Sequence, residues 1–255
     1  MINFRSIKVQ INLFLVAFAV FLYIKAPGFA FLSGFFWAVL FSLLIEGVFL
    51  FHKTRKLQIT ESVLTSGLII GYVLSSGSPW WMFLTVAAFT VGLKHLLRFR
   101  GKNLLNPAAL GLFLAVLLLK GNTEWKGAYE WYILIPVGLY IVHKIKKTEI
   151  AWGYFGMALL LFIPQALAQG VSLLNIPGYF NYFFIFIMLI EPKTTPPTRW
   201  PKVAFGAGVA FLIFVLTEWG FRYEPELFAL LILNALVPFL NKIPNFKPLT
   251  LKKNP

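Results

Sequence analysis

Ten apolar segments, joined by loops that are basic in alternation, constrain this chain more than any other feature. They run roughly over 9–24, 29–51, 62–77, 79–93, 103–119, 129–143, 150–168, 179–190, 203–219 and 226–241. A helix crossing a bilayer needs about 20 predominantly apolar residues. The segments at 62–77, 103–119 and 179–190 fall short. They are expected to be tilted, broken or re-entrant, since non-helical backbone at membrane depth survives only when buried or lining a cavity. Composition agrees: 59% of the 255 residues are hydrophobic and 13% are charged, too apolar for an ordinary soluble domain.

The cations sort by loop. With the N-terminus inside, the inner loops are 1–8, 52–58, 94–102, 143–149, 191–202 and 242–255. They hold all of the 23 Lys and Arg residues except Lys25, Lys120, Lys126 and Arg222. Cytoplasmic loops carry the excess of Lys and Arg, so both termini are predicted on the cytoplasmic side of the cell inner membrane. The net charge of +14 is then topological, and nucleic acid is not an expected partner. The apolar segment after RSIKVQ resembles a signal peptide, but no A-x-A site follows and a retained helix is expected. Cysteine is absent, which removes disulfides and thiolate ligands for an iron–sulfur cluster. His52, His95 and His143 map to inner helix ends, so no haem is expected either.

Ten segments divide as five plus five. The chain reads as one membrane domain, 1–255, with a first repeat at 9–119 and a second at 129–241. An odd number of crossings per half inverts the second repeat. N-P-A at Asn106 opens the fifth segment from inside, and E-P-E at Glu224 opens the tenth from outside. Proline suits the first turn of a helix.

Three features could carry chemistry. In GKNLLNPAALG, Gly101 to Gly111, Asn103 and Asn106 are three apart and share a face if a helix begins there. Two amides at a positive helix end suit a polar heterocycle or a small polar solute. Asn106 before Pro107 equally makes a good N-cap. The run IEPKTTPPTRW, Ile190 to Trp200, ends the very apolar FNYFFIFIML on the same inner side. Its Glu191, Pro192, Thr194 and Thr195 either line a pocket with the asparagines or form a solvated loop. Glu46, about two turns inside the second segment, reads as a cation or proton site, because an acid within a span is costly. The other reading pairs it with the basic loop at Lys53 to Lys56. Thr65 and Ser66 lack a base nearby, and no metal-ligand spacing or G-x-G-x-x-G is present. Gly67, Gly71 and Gly77 permit close helix packing.

Together these stretches resemble the NqrB/RnfD family, the membrane subunit shared by sodium-pumping NADH:quinone oxidoreductase and the Rnf electron-transport complex. The likeness runs from about residue 40 to 242. Glu46, HKTRK and ESVLTSGLIIGYVL carry it first, then Pro79-Trp80-Trp81 and GKNLLNPAALG. FIMLIEPKTTPPT and ELFALLILNALVP complete it. The resemblance implies an all-α integral membrane fold of about ten helices in two inverted five-helix repeats, similar to urea transporters. It implies a non-covalent riboflavin near Asn103, Asn106 and Pro107, closed over by Glu191, Pro192, Thr194 and Thr195. The family's acid in sodium uptake resembles Glu46 in position. Its covalent FMN sits on the Thr of an S-G-A-T motif that this chain lacks. The outer loop KGNTEWKGAYE has only Thr123, so covalent FMN is not expected, nor is quinone reduction. The expected function is a minimal electron-transport subunit with non-covalent riboflavin or FMN near the cytoplasmic side, coupled to cation translocation. It would relay electrons between other membrane subunits and an electron-donating flavin or iron–sulfur protein, and would be no stand-alone enzyme. The reading from a different class is a small-solute channel or transporter on the same scaffold. Asn103, Asn106 and Glu191 would then contact solute, and Glu46 would couple an ion.

Overall fold

The computed structural model describes residues 6–55, 60–99 and 102–244. Six of the cations counted above (Arg5, Lys56, Arg100, Lys247, Lys252 and Lys253) lie outside the described residues. Those described form α1 (Ile7–Lys25), α2 (Phe29–Thr54), α3 (Glu61–Val73), α4 (Trp80–Leu96) and α5 (Pro107–Leu119) in the first half. The second half has α6 (Trp131–Lys144), α7 (Thr148–Ala168), α8 (Arg199–Glu218) and α9 (Pro225–Leu240). Between α7 and α8 come a 3-10 turn, Leu173–Tyr179, and a π-helical segment, Phe184–Met188. Before α5, Arg98–Phe99 pairs antiparallel with Lys102–Asn103.

Helix length and burial explain each other. α1, α2, α7 and α8 are long and apolar enough to cross a membrane. In α1, Val9, Asn12, Leu15, Phe18 and Leu22 are buried at helical spacing, while Leu13, Val16, Val20 and Ile24 are exposed as a lipid-facing side would be. α3 has 13 residues and is buried throughout Gly67 to Val73, as a re-entrant helix enclosed by protein must be. α5, also 13 residues, begins at Pro107 and not at residue 103. The residue before a proline is driven out of the helical region, and Asn106 sits at φ −64, ψ 116. Asn103 and Asn106 therefore do not share a helix face. The 179–190 segment is broken as expected: Pro177 lies in the 3-10 turn, and Leu189 N donates to Phe184 O at 2.9 Å.

The two halves use the same contacts. α2 packs on α4, α4 on α5 and α1 on α3; correspondingly α7 packs on α8, α8 on α9 and α6 on the π-helical segment. α5 crosses α9 between the halves, with Phe113 and Phe228 stacked at 5.2 Å. The halves run oppositely. α1 and α3 start together, Ser6 donating to Glu61 at 3.1 Å, near a cation-rich end. α6 starts at the other end, where Glu130 meets Lys25 from the end of α1 at 2.5 Å. Tyr182 starts there too, its N donating to Ala128 O at 3.0 Å. Tyr72 joins the halves, its ring 5.8 Å from Phe18, 4.8 Å from Phe35 and 4.7 Å from Phe183.

At that other end the 120–130 loop closes over the C-terminus of α3. Glu124 N and Lys126 N donate to Val73 O and Tyr72 O, each at 2.8 Å. Lys126 is buried and donates Nζ to Gly71 O at 3.0 Å and to Leu74 O. An ammonium on the last carbonyls of a helix satisfies them and complements the helix dipole.

Candidate functional site

Three cavities open at the cation-rich end, and Lys193 lines each of them. The first, of about 330 Å³, lies among α1, α3, the start of α5 and the π-helical segment. Its walls are mainly apolar, with Ile11, Ile69, Ile145, Phe186, Ile187 and Ile190, and Asn106, Pro107, Glu191 and Pro192 also line it. The Asn106 side chain is already engaged: Oδ1 accepts from Ala109 N at 3.0 Å and Nδ2 donates to Met188 O at 3.3 Å. The capping reading of Asn106 is thus the observed geometry, and the same amide ties α5 to the second half. Glu191 is half-buried, and burial pushes its carboxyl up to about 7 against the pull of Lys193, Lys8 and Lys94.

The second cavity, about 450 Å³, is lined by Asn103, Pro192, Thr194 and Thr195. The proline-rich run is solvated only in part: Pro192, Lys193, Pro197 and Thr198 are exposed, whereas its centre turns inward. Thr194 and Thr195 are buried, and Thr195 Oγ1 donates back to Glu191 O at 2.9 Å. Buried Lys147 reaches Pro196 O at 2.7 Å and Thr195 O at 3.4 Å. Thr194 Oγ1 is buried without a hydrogen-bond partner among the described residues, a costly state. The predicted residues thus divide. Asn106, Pro107 and Glu191 face one cavity, Asn103, Thr194 and Thr195 the other, and Pro192 borders both.

The third cavity, about 460 Å³, contains Glu46. Glu46 is 1% exposed. Its partners are on α4: Lys94 Nζ lies 2.8 Å from Oε1 and His95 Nε2 lies 3.2 Å from Oε2. Thr60 Oγ1 donates to Oε1 at 3.2 Å. The alternative reading pairs Glu46 with the basic stretch at Lys53 to Lys56; Lys53, in the last turn of α2, lines the same cavity, and Lys56 lies outside the described residues. A half-bonded carboxylate at this depth would be unstable.

Several residues escaped the sequence reading. Asn234 is fully buried, accepts from Asn106 N at 2.9 Å and donates to Thr194 O at 3.2 Å. A lone amide inside the apolar α9 was the available signal. Asn12 does the same for α1, donating to Glu61 O at 3.0 Å and accepting from Thr65 at 2.7 Å. Lys94 and Lys147 looked like loop cations, and nothing local distinguishes a loop lysine from one folded inward.

The model of the NQR2, RnfD, RnfE family matches this chain twice, over residues 2–130 and 125–248. The RnfD subunit of an ion-translocating oxidoreductase complex from Alcanivorax borkumensis is 28% identical, with 86% of this chain and 88% of the relative covered. Its counterpart from Marinobacter nauticus is 21% identical over 80% of each chain. A third, from Stutzerimonas stutzeri, is 38% identical over 53 residues, 21% of this chain and 15% of its own.

Proposed function

The chain belongs to the NQR2, RnfD, RnfE family, and from that premise we propose that it is the membrane subunit of an Rnf-type ion-translocating oxidoreductase complex. In this reading it holds a non-covalent flavin, riboflavin or FMN, at its cation-rich end, which faces the cytoplasm across the inner membrane. One observation carries the reading: a cavity of about 330 Å³ between the two halves, apolar-walled with a few polar groups. That is the usual form of a cofactor site. When bound, a flavin supplies electron transfer. The chain's own part is to bind and tune. Phe186 and the isoleucines would exclude water, and Ser62 and Lys193 would offer donors to a polar edge. Glu191, titrating near neutrality, is suited to holding or releasing a proton beside the site. Glu46 would carry the coupling to ion translocation. Electrons would come from a flavin or iron–sulfur partner and leave through other membrane subunits, since this chain has no dinucleotide motif.

The test is direct. Protein is purified in mild detergent from cells supplied with riboflavin, its visible spectrum is recorded, and it is then precipitated with acid. Flavin in the supernatant is expected, and Ser66→Trp, which fills the cavity from α3, should remove it. Flavin retained in the pellet would overturn the non-covalent assignment. A colourless, folded preparation would transfer the case to solute flux in liposomes.

A further inference from the structure

The Glu46 centre already contains a cation. Among the described residues its two carboxylate oxygens receive three protein donors, Lys94 and Thr60 on Oε1 and His95 on Oε2. Lys94 is 6% exposed and Glu46 1%, so the pair lies away from bulk solvent. The His95 ring is held by stacking on Phe49 at 3.9 Å, which fixes its position against the carboxylate. Hard metal cations are bound by shells of oxygen ligands. Here two of the three groups on the carboxylate are nitrogens, and the closest is an ammonium.

The approach is equally unsuited to a metal ion. The cavity leading to Glu46 is lined by Lys8 from α1, Lys53 from α2 and Lys193 from the proline-rich run. Glu61, at the start of α3, is the other acid lining it. A cleft with this excess of one sign lowers the local concentration of ions of that sign. Displacing Lys94 would also strand its ammonium in a buried place, which is strongly unfavourable.

We propose that Lys94 is the specificity-determining residue of this centre: it occupies the counter-cation position of Glu46 and keeps alkali-metal ions off the carboxylate. An ion exchanged here is then a proton, passed among Glu46, Lys94 and His95, with Lys8, Lys53, Glu61 and Lys193 facing them. This refines the coupling role given to Glu46 above. It is tested independently of flavin content, because the readout is a response to Na⁺ with or without flavin bound.

The full chain is melted in detergent in NaCl and in choline chloride at matched ionic strength. The parent protein should melt alike in both salts. Lys94→Met should acquire a saturable, Na⁺-specific rise in melting temperature, and Lys94→Met with Glu46→Gln should lose it. A Na⁺-specific stabilisation of the parent that Glu46→Gln abolishes would overturn the proposal. So would a monodisperse, cooperatively melting Lys94→Met with no Na⁺ response. Should Lys94→Met fail to fold, binding of radioactive Na⁺ decides. Retention by the parent and not by Glu46→Gln refutes the proposal, and equal background on both supports it.

Discussion

Asn234 uses one side-chain amide to hold three segments. It accepts from Asn106 N at the cap of α5 and donates to Thr194 O in the proline-rich run, at 2.9 and 3.2 Å, from the middle of α9. Asn234→Leu keeps the approximate shape and strands both backbone groups. Each buried unsatisfied group costs about 1–3 kcal/mol, so the variant should lose roughly 2–6 kcal/mol, seen as a lower melting temperature in detergent. A melting curve equal to the parent's would show that the two groups find other partners. Glu191 sets a different kind of dependence. Its carboxyl titrates at about 7 in the fold because of burial and near the ordinary carboxylate value when unfolded. Between those values the folded chain binds the extra proton, so stability falls as pH rises toward neutrality. Above about 7 the penalty is complete and flat. Melting temperatures taken from about pH 5 to pH 8 should fall for the parent and fall less for Glu191→Gln. Parallel curves would refute the burial effect.

At the scale of elements, α7 packs tightly on α8, and glycines permit it. A Cβ on Gly206 would lie 2.1 Å from Ile150 O, and one on Gly153 would lie 2.3 Å from Val203 O. Both obstacles are backbone, so the helices themselves would have to separate. Close approach of this kind is how helices associate in lipid. Gly206→Ala and Gly153→Ala should each cost about 1–3 kcal/mol, the range for overpacked cores. Gly156 lies on the same helix with nothing within 4 Å of an added Cβ. Gly156→Ala should gain about 0.5–1 kcal/mol from helix propensity alone. Thermal melts of the three variants check the opposite signs together. Most elements were legible from apolar length, including the three short ones, because bilayer thickness imposes a common ruler. The start of α5 was legible as the Asn106 cap before Pro107; the apolar run taken from 103 extends further only because Leu104 and Leu105 continue it, whereas Pro107 decides where helical backbone begins. Glycine contacts such as Gly206 on Ile150 O depend on which helices meet, and no local pattern states that.

At the scale of the molecule, charge and topology agree. Lys8, Lys53, Lys94 and Lys193, from four loops or helix ends predicted to lie inside, surround one cavity. Lys25 and Lys126, predicted outside, lie at the opposite end, on Glu130 and on the C-terminus of α3. The ends were legible because a bilayer sorts cations by side. The site was legible only as a neighbourhood: Glu46 and Asn106 were singled out, but their partners Lys94 and Asn234 stand 48 and 128 residues away in the chain. The inversion itself makes a testable claim about sidedness. α9 spans about 24 Å at 1.5 Å per residue, with exposed Arg222 before it and exposed Lys242 after it. Because the chain contains no cysteine, single cysteines report cleanly. Arg222→Cys should react with a membrane-impermeant maleimide on intact spheroplasts, and Lys242→Cys only after permeabilisation, since the Lys-rich end is retained inside. Labelling of Lys242→Cys alone would reverse the orientation and move the proposed flavin cavity to the outer face. Labelling of both on intact cells would break α9 as a crossing helix, and with it the pairing of α5 and α9 on which the inverted halves depend.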